Sequence, residues 1–382
     1  MLKSIRFCCV IAGVILSCLS FAFASDVIYV IANPTGPNYV TAYTRNQQSG
    51  ALTLLGSYPT GGAGLVSTEF VGAQANSLVF SKGRLYAINP GSNDISIFSV
   101  QEDGTLRLAH APIPSGGIGP ETIAIHDHLL YVGNDGNAST PPNMTGFLID
   151  NGSLRPIHGS AVTLNIGDHP ADLKFSKNGH FLVGSLADSG IIDVFRVKDD
   201  GTLLQTAELH DQPGIVELAF NPVHQNKLIG TLANFPGVKS YVISAEGEIT
   251  ILSSIQDTAT IDSCWIVTDK AGTKAWVTAP LSSSIILYTI DPQTRLTRVS
   301  SHDTSSFGFT LTDLVMDESG SFIYAMKPLS GSVHIFRLTG SELEAGVADA
   351  GDVIVPAPPG GVPYAPLGIV LVQTGNDSHG DD

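Results

Sequence analysis

Asp172-Leu173-Lys174-Phe175-Ser176-Lys177-Asn178-Gly179-His180-Phe181-Leu182-Val183 reads as an alternating apolar strand, a turn of the Asn-Gly type and a second strand. A third strand follows at Ile192-Asp193-Val194-Phe195-Arg196-Val197. An Asp-Asp-Gly turn ending at Gly201 then leads to Leu203-Leu204. Four short strands joined by tight turns make an antiparallel meander of about 45 residues.

The unit recurs in phase. Its first strand begins at Leu78, Ile123, Leu173, Leu218, Cys264 and Leu314, at intervals of 45, 50, 45, 46 and 50 residues. That spacing suits a propeller blade and exceeds a leucine-rich repeat. The third strand and its turn return at Ile95 to Leu106, Ile286 to Leu296 and Val333 to Gly340. Residues from Val27 to Leu55 hold only the later strands of a unit, and Pro366-Leu367-Gly368-Ile369-Val370-Leu371 supplies an unattached first strand. The expected fold is all-β, a seven-bladed β-propeller of four-stranded antiparallel blades. Pairing of the C-terminal strand with the N-terminal blade closes the ring and removes the open sheet edges.

Residues 1–24 are set apart from this pattern. Lys3 and Arg6 precede an apolar run ending in Ala22-Phe23-Ala24, which predicts a signal peptide cleaved after Ala24 and a secreted or periplasmic protein. The propeller then spans residues 25–373, and 374–382 form an acidic, disordered tail. Cys8, Cys9 and Cys18 leave with the leader. Cys264 is then the one remaining thiol, so an intrachain disulfide and a Cys-based zinc site are excluded from the mature chain.

Composition agrees with many turns and a large core. The 382 residues include 40 Gly and 22 Pro, are 43% hydrophobic and only 14% charged, which excludes coiled coils and disordered chains. A formal net charge of −16 argues against a nucleic-acid partner. No membrane contact is expected once the leader is removed, and the chain is expected to be a monomer.

The blade pattern Pro170-x-x-Leu173-x-Phe175-Ser176-x-x-Gly179-x-Phe181-Leu182-Val183, then Val194-Phe195-x-Val197 and Gly201-x-Leu203, resembles the seven-bladed propeller lactonases. That family includes 6-phosphogluconolactonases and carboxymuconate lactonizing enzymes. Tyr29-Val30-Ile31-Ala32-Asn33, with Tyr43 and the turn Gly50-Ala51-Leu52-Thr53, is similar to the family's start. The resemblance covers about Val27 to Val372. It implies hydrolysis or cyclisation of a lactone or sugar-derived substrate at the channel mouth. A non-catalytic propeller that binds a protein, glycan or surface polymer is the alternative.

Aligned repeats place Ser77, Thr122, Asp172, Glu217, Ser263 and Asp313 in one column, with Asn76, Glu121, Ala171, Val216, Asp262 and Thr312 in the column before it. Five carboxylates, Glu121, Asp172, Glu217, Asp262 and Asp313, are thus expected at the mouth. Converging carboxylates repel unless a cation or a shared proton intervenes. Asp172, Glu217, Asp262 and Asp313 therefore form a candidate Ca²⁺ or Mg²⁺ site. The structural alternative is that these carboxylates accept loop N–H bonds and hold blades together.

Three residues are candidates for catalysis. His169, in a loop entering an innermost strand, is the expected general base, Glu121 its alternative, and Lys327 a cation to polarise a carbonyl. Asn89, Asn134, Asp172 and Glu217 are candidate substrate contacts. His126-Asp127-His128 falls in a turn on the opposite face and reads as exposed. None of the eight Arg left after leader removal falls at the predicted mouth, a departure from what anionic lactones need. The lack of Cys-x-x-Cys-His argues against a redox propeller.

Overall fold

A computed structural model describes residues 26–65, 75–304, 311–339, 346–357 and 364–373. The leader at 1–24 and the acidic tail at 374–382 lie outside the described residues.

Seven antiparallel sheets form seven blades, each of four strands, with a short fifth strand added to two of them. From the channel outward, blade 1 comprises Ile369–Gln373, Asp26–Ile31, Gly36–Arg45 and Leu52–Gly64. Blade 2 begins at Leu78–Ser81, blade 3 at Pro120–His126, blade 4 at Pro170–Phe175 and blade 5 at Ile215–Phe220. Blade 6 begins at Ile266–Thr268 and blade 7 at Leu314–Met316. Each then continues outward through three consecutive strands. Alternating side chains fill the spaces between blades, so the core is a ring of interblade clusters rather than one centre.

Closure occurs as the sequence predicts. Ile369–Gln373 pairs antiparallel with Asp26–Ile31, Val372 opposite Val27 and Ile369 opposite Val30. A buried ion cluster fastens the same seam. Arg45 of blade 1 bridges Asp26 of its own blade and reaches Asp317 Oδ2 of blade 7 at 2.5 Å, while its Nε donates to Tyr324 Oη at 2.7 Å.

The turns between third and fourth strands explain part of the glycine content. Tyr29 donates to Gly104 O at 2.8 Å, Tyr131 to Gly201 O at 2.6 Å and Tyr324 to Gly50 O at 2.8 Å. In each case a buried second-strand tyrosine holds the turn of the next blade. The three glycines have φ of 79°, 78° and 74°, where a side chain is strained. A Cβ on Gly50 would also lie 2.4 Å from the Phe322 ring.

Two first strands sit two residues later than the repeat alignment predicts. Ile266 lies opposite Val277 as Leu218 lies opposite Gly230, and Ile369 lies opposite Val30 as Leu314 lies opposite Ala325. The equivalents of Glu217 are therefore Trp265 and Gly368, in place of Ser263 in the predicted column. Asp262 leaves the carboxylate ring by the same correction.

Candidate functional site

The innermost strands carry a buried polar cluster around the channel. Asp172, at the start of blade 4, accepts from Asn76 Nδ2 at 2.6 Å and from the Leu218 amide of blade 5 at 2.9 Å. Glu217 repeats the arrangement one blade on, accepting the Ile266 amide at 2.9 Å. Asp313 accepts the Ile369 amide at 3.2 Å and its neighbour Leu314 N at 2.8 Å. Each carboxylate thus takes an N–H from the first strand of the following blade. The equivalent positions Ser77 and Thr122 are also buried.

Lys174 occupies the space between two of these carboxylates. Its Nζ lies 3.3 Å from Glu217 Oε1, 3.8 Å from Asp172 Oδ2 and 3.0 Å from Asn76 Oδ1. Sequence reading placed Lys174 on an ordinary alternating strand and missed it. The available signal was the i, i+2 relation to Asp172, which puts both on one face of the strand.

Burial pushes Asp172 up to about 7 despite the pull of Lys174. Burial likewise raises Glu217, and raises Asp313 well above the carboxylate range with help from the Glu217 charge. For Lys174, burial works against the charge, but the Asp172 and Glu217 carboxylates outweigh it and hold its affinity for the proton above normal. One cation thus stands among three carboxylates whose proton affinity burial raises.

The Ca²⁺ or Mg²⁺ expectation does not fit this geometry. Among the described residues no group of three or more His, Cys, Asp or Glu is arranged to hold an ion. Asp262 accepts the Leu281 amide at 3.0 Å, with burial raising it to about 6. Asp172 and Glu217 spend oxygens on backbone amides, and an ammonium group already stands between them.

Further toward the loop face, His169 Nδ1 lies 2.8 Å from Asp135 Oδ1, with both groups largely enclosed. Asp135 follows the second strand of blade 3, and His169 enters the first strand of blade 4. Burial lowers the pKa of His169, but the hydrogen bond to Asp135 and the charges of Glu121, Asp135 and Asp188 more than reverse this, so the net shift is upward. Glu121 is buried at the start of blade 3. The Glu121 charge acts on His169, and Asp135, which holds the ring, is a partner the sequence does not reveal.

The other candidates are dispersed. Lys327 Nζ donates to Asp352 Oδ2 of its own blade at 3.1 Å, and His334 Nδ1 lies 2.5 Å from the same carboxyl group. Asn89 is saturated: it donates to Asp94 and Ser96 and accepts from Asn38 and Thr60. Asn134 donates to Asn143 Oδ1 at 2.9 Å and Thr145 Oγ1 at 3.3 Å, while its own Oδ1 is buried without a hydrogen-bond partner. His126 ends the first strand of blade 3 and Asp127 lies in the turn after it, where Lys82 pairs with Asp127 at 3.1 Å. Cys264 is buried, which pushes its thiol well up.

No protein-family model matches the sequence, and neither does any curated protein. Solved structures do match in fold. A Bacteroides fragilis protein described as a "putative 6-phosphogluconolactonase" aligns with a TM-score of 0.74 at 16% identity, covering 93% of this chain and 99% of the other. A Pseudomonas aeruginosa periplasmic gluconolactonase aligns with a TM-score of 0.72 at 14% identity, covering 91% and 99%. A Lactobacillus plantarum protein gives 0.71 at 14%, covering 92% and 100%. The chain therefore shares its seven-bladed fold with these structures over nearly their whole length.

Proposed function

We propose that this chain is an exported lactonase-like hydrolase whose chemistry lies at His169, Asp135 and Glu121. The observation that carries the reading is the 2.8 Å contact between His169 Nδ1 and Asp135 Oδ1, with the Glu121 charge also raising the proton affinity of the ring. A carboxylate on Nδ1 fixes the ring's orientation and stabilises its cation. This favours His169 as a general acid over the base role expected from sequence.

In the proposed reaction, Glu121 takes a proton from water as the water oxygen adds to the lactone carbonyl carbon. The ring C–O bond then breaks, and His169 protonates the departing alkoxide. The partly buried Lys174 and the buried Asp172, Glu217 and Asp313 support the site by fixing the first strands. Export rests on the leader-like residues 1–24 and agrees with the periplasmic location named for the Pseudomonas structure.

Hydrolysis of a panel of neutral lactones by the wild-type chain and by Glu121→Gln, His169→Ala and Asp135→Asn tests the reading. Loss of turnover in the variants, with folding intact, supports it. Full activity in all three removes the assignment.

A further inference from the structure

A second cluster of titratable groups lies in blade 7. The fourth strand of that blade, Gly346–Ile354, carries Asp352 opposite His334 of the third strand and Asp349 opposite Phe336. Residues three apart ordinarily point to opposite faces of a strand. Here the register shifts between Ile335 and Phe336, so Ala350 is the extra residue and both carboxylates share the face of the His334 ring. Phe336 backs that ring with centroids 4.4 Å apart, and His302, on the outermost strand of blade 6, meets Phe336 edge-on at 6.1 Å.

Both nitrogens of His334 are engaged. Nδ1 lies 2.5 Å from Asp352 Oδ1, and Nε2 lies 3.1 Å from Asp349 Oδ1. An ionised carboxylate can only accept, and a neutral imidazole has one N–H. The two contacts together therefore require a proton on each nitrogen, which makes His334 a cation. Burial alone would raise Asp349 and Asp352, but hydrogen bonds from His302 and His334 to the first, and from His334 and Lys327 to the second, hold both below the ordinary carboxylate range. The carboxyl groups are thus the ionised partners.

The remaining groups that face the ring complete the balance. His302 Nε2 lies 3.0 Å from Asp349 Oδ1 and needs one N–H for that bond, while Lys327 Nζ donates to Asp352 Oδ2 at 3.1 Å. Two carboxylates thereby meet two cations, Lys327 and His334. The His334 side chain is 7% exposed against 43% for Asp349 and 41% for Asp352, so the ring is enclosed while its partners reach water.

The strand held in this way leads into the segment that closes the propeller. Tyr43 Oη of blade 1 donates to Ile354 O at 2.9 Å, Val355 N to Gly331 O at 2.8 Å and Tyr364 Oη to Val355 O at 3.1 Å. The closing strand Ile369–Gln373 follows.

We propose that His334 is a proton-operated latch: with both nitrogens protonated it ties the fourth strand of blade 7 to the third, and loss of either proton releases one carboxylate and loosens Gly346–Ile354 beside the ring seam. The stabilisation by the cation is full while the ring holds both protons and is lost as pH rises through its titration. Asp349 and Asp352 act in the other sense, because lowered carboxylates contribute above their unfolded value of about 4 and fail as pH falls below it. The latch is closed at mildly acidic pH and opens toward alkaline pH.

The test is hydrogen exchange read by mass spectrometry from about pH 5 to about pH 9, corrected for the intrinsic rate, with the outermost strand of blade 4, Leu203–His210, as internal reference. Relative to that reference, protection of Gly346–Ile354 is expected to fall about tenfold or more as pH rises, as one hydrogen bond between charged groups is lost. His334→Gln has one side-chain nitrogen and cannot bond both carboxylates at any pH, so it is expected to be poorly protected with no transition. Asp349→Asn, which decides the matter should His334→Gln fail to fold, is expected to stay protected at high pH. Its amide can donate to a bare Nε2 while its oxygen accepts from His302. Nitrogen-15 spectra of the histidines are expected to show both His334 nitrogens protonated at the acidic end. A ring with a bare nitrogen there would overturn the latch. So would a protection ratio that stays constant with pH, an equal loss in both strands, or a transition that persists in either variant.

Discussion

Glu217 Oε2 accepts the backbone amide of Ile266 at 2.9 Å, so a blade 5 side chain caps the first strand of blade 6. Asp172 to Leu218 and Asp313 to Ile369 repeat the bond at two other blade junctions. Glu217 is also in contact with Lys174. Glu217→Ala is therefore expected to lose about 2–4 kcal/mol of stability, since it strands a buried N–H and removes one of the carboxylates beside a partly buried cation. Glu217→Gln is expected to lose less, because an amide oxygen can still accept from Ile266. Denaturant unfolding of both variants measures this, and equal losses would contradict the role assigned to the bond with the Ile266 amide.

The direction of the pH dependence follows from Asp172. Its pKa is about 7 in the folded chain, against about 4 when unfolded. A raised carboxylate contributes stability that is fully present below the unfolded value and is lost as pH rises through the folded one. Glu217, Asp313 and His169 are raised as well and act in the same sense, each in its own range. Stability is therefore expected to fall between about pH 4 and 7. Removing the charge in Asp172→Asn is expected to flatten the slope by up to about 1.4 kcal/mol per pH unit. Melting curves of the two proteins across this range decide it; parallel curves would exclude Asp172 as the source.

Activity should follow His169. An imidazole that must be protonated to act as the acid works below its raised pKa and fails above it, so the plateau of kcat should extend above the usual histidine value of about 6.5. Asp135→Asn removes the hydrogen-bonded charge and is expected to move the alkaline limb to lower pH while lowering kcat by about 10²-fold or more. Rates corrected for hydroxide-driven lactone opening provide the profile. An alkaline limb unmoved by Asp135→Asn would assign it to another group.

Much of the fold could be read from Asp172 to Val183, because a tight turn between alternating strands repeats with little change. The phase of blade 6 could not. Cys264-Trp265-Ile266 is apolar without a break, and a two-residue slip preserves which side chains share a face, so Asp262 was drawn into the ring. Lys174 was lost for a related reason. Alternation implies a solvent side, but an innermost strand has blades on both flanks and the channel at its edge. Lys327 failed differently: its partner Asp352 lies on the outermost strand of the blade, and no spacing rule connects the two. The sequence offers His169 by its place in the loop entering blade 4 and Glu121 by the column before the innermost strands, whereas Asp135 comes from a neighbouring blade's second loop.

Arg45 supplies a test at the ring seam. It is buried between Asp26, Asp317 and Tyr324, and its removal leaves two carboxylates enclosed without their cation. Arg45→Met is expected to cost about 3–5 kcal/mol. Replacing Asp26 and Asp317 together with Arg45 by apolar residues of similar volume is expected to recover most of that loss. A triple variant no more stable than Arg45→Met alone would show that packing, not the stranded charge, sets the cost.

Ring closure predicts how the chain responds to losing its last strand. A repeat array open at both ends frays from the end when a terminal unit is cut. Here a chain ending at Pro366 loses the whole innermost strand of blade 1, exposes the inner edge of Asp26–Ile31, and deprives Asp313 of the Ile369 amide. It also loses the buried side chains Leu367, Ile369 and Val372, worth about 1.5–3 kcal/mol each. Their sum is comparable with the about 5–15 kcal/mol that holds a typical domain together. The truncated chain is therefore expected to be unfolded throughout, visible as loss of β circular dichroism and proteolysis in all blades. A truncated chain that retains a single sharp unfolding transition at nearly the full-length temperature would mean that the C-terminal strand does not close the ring.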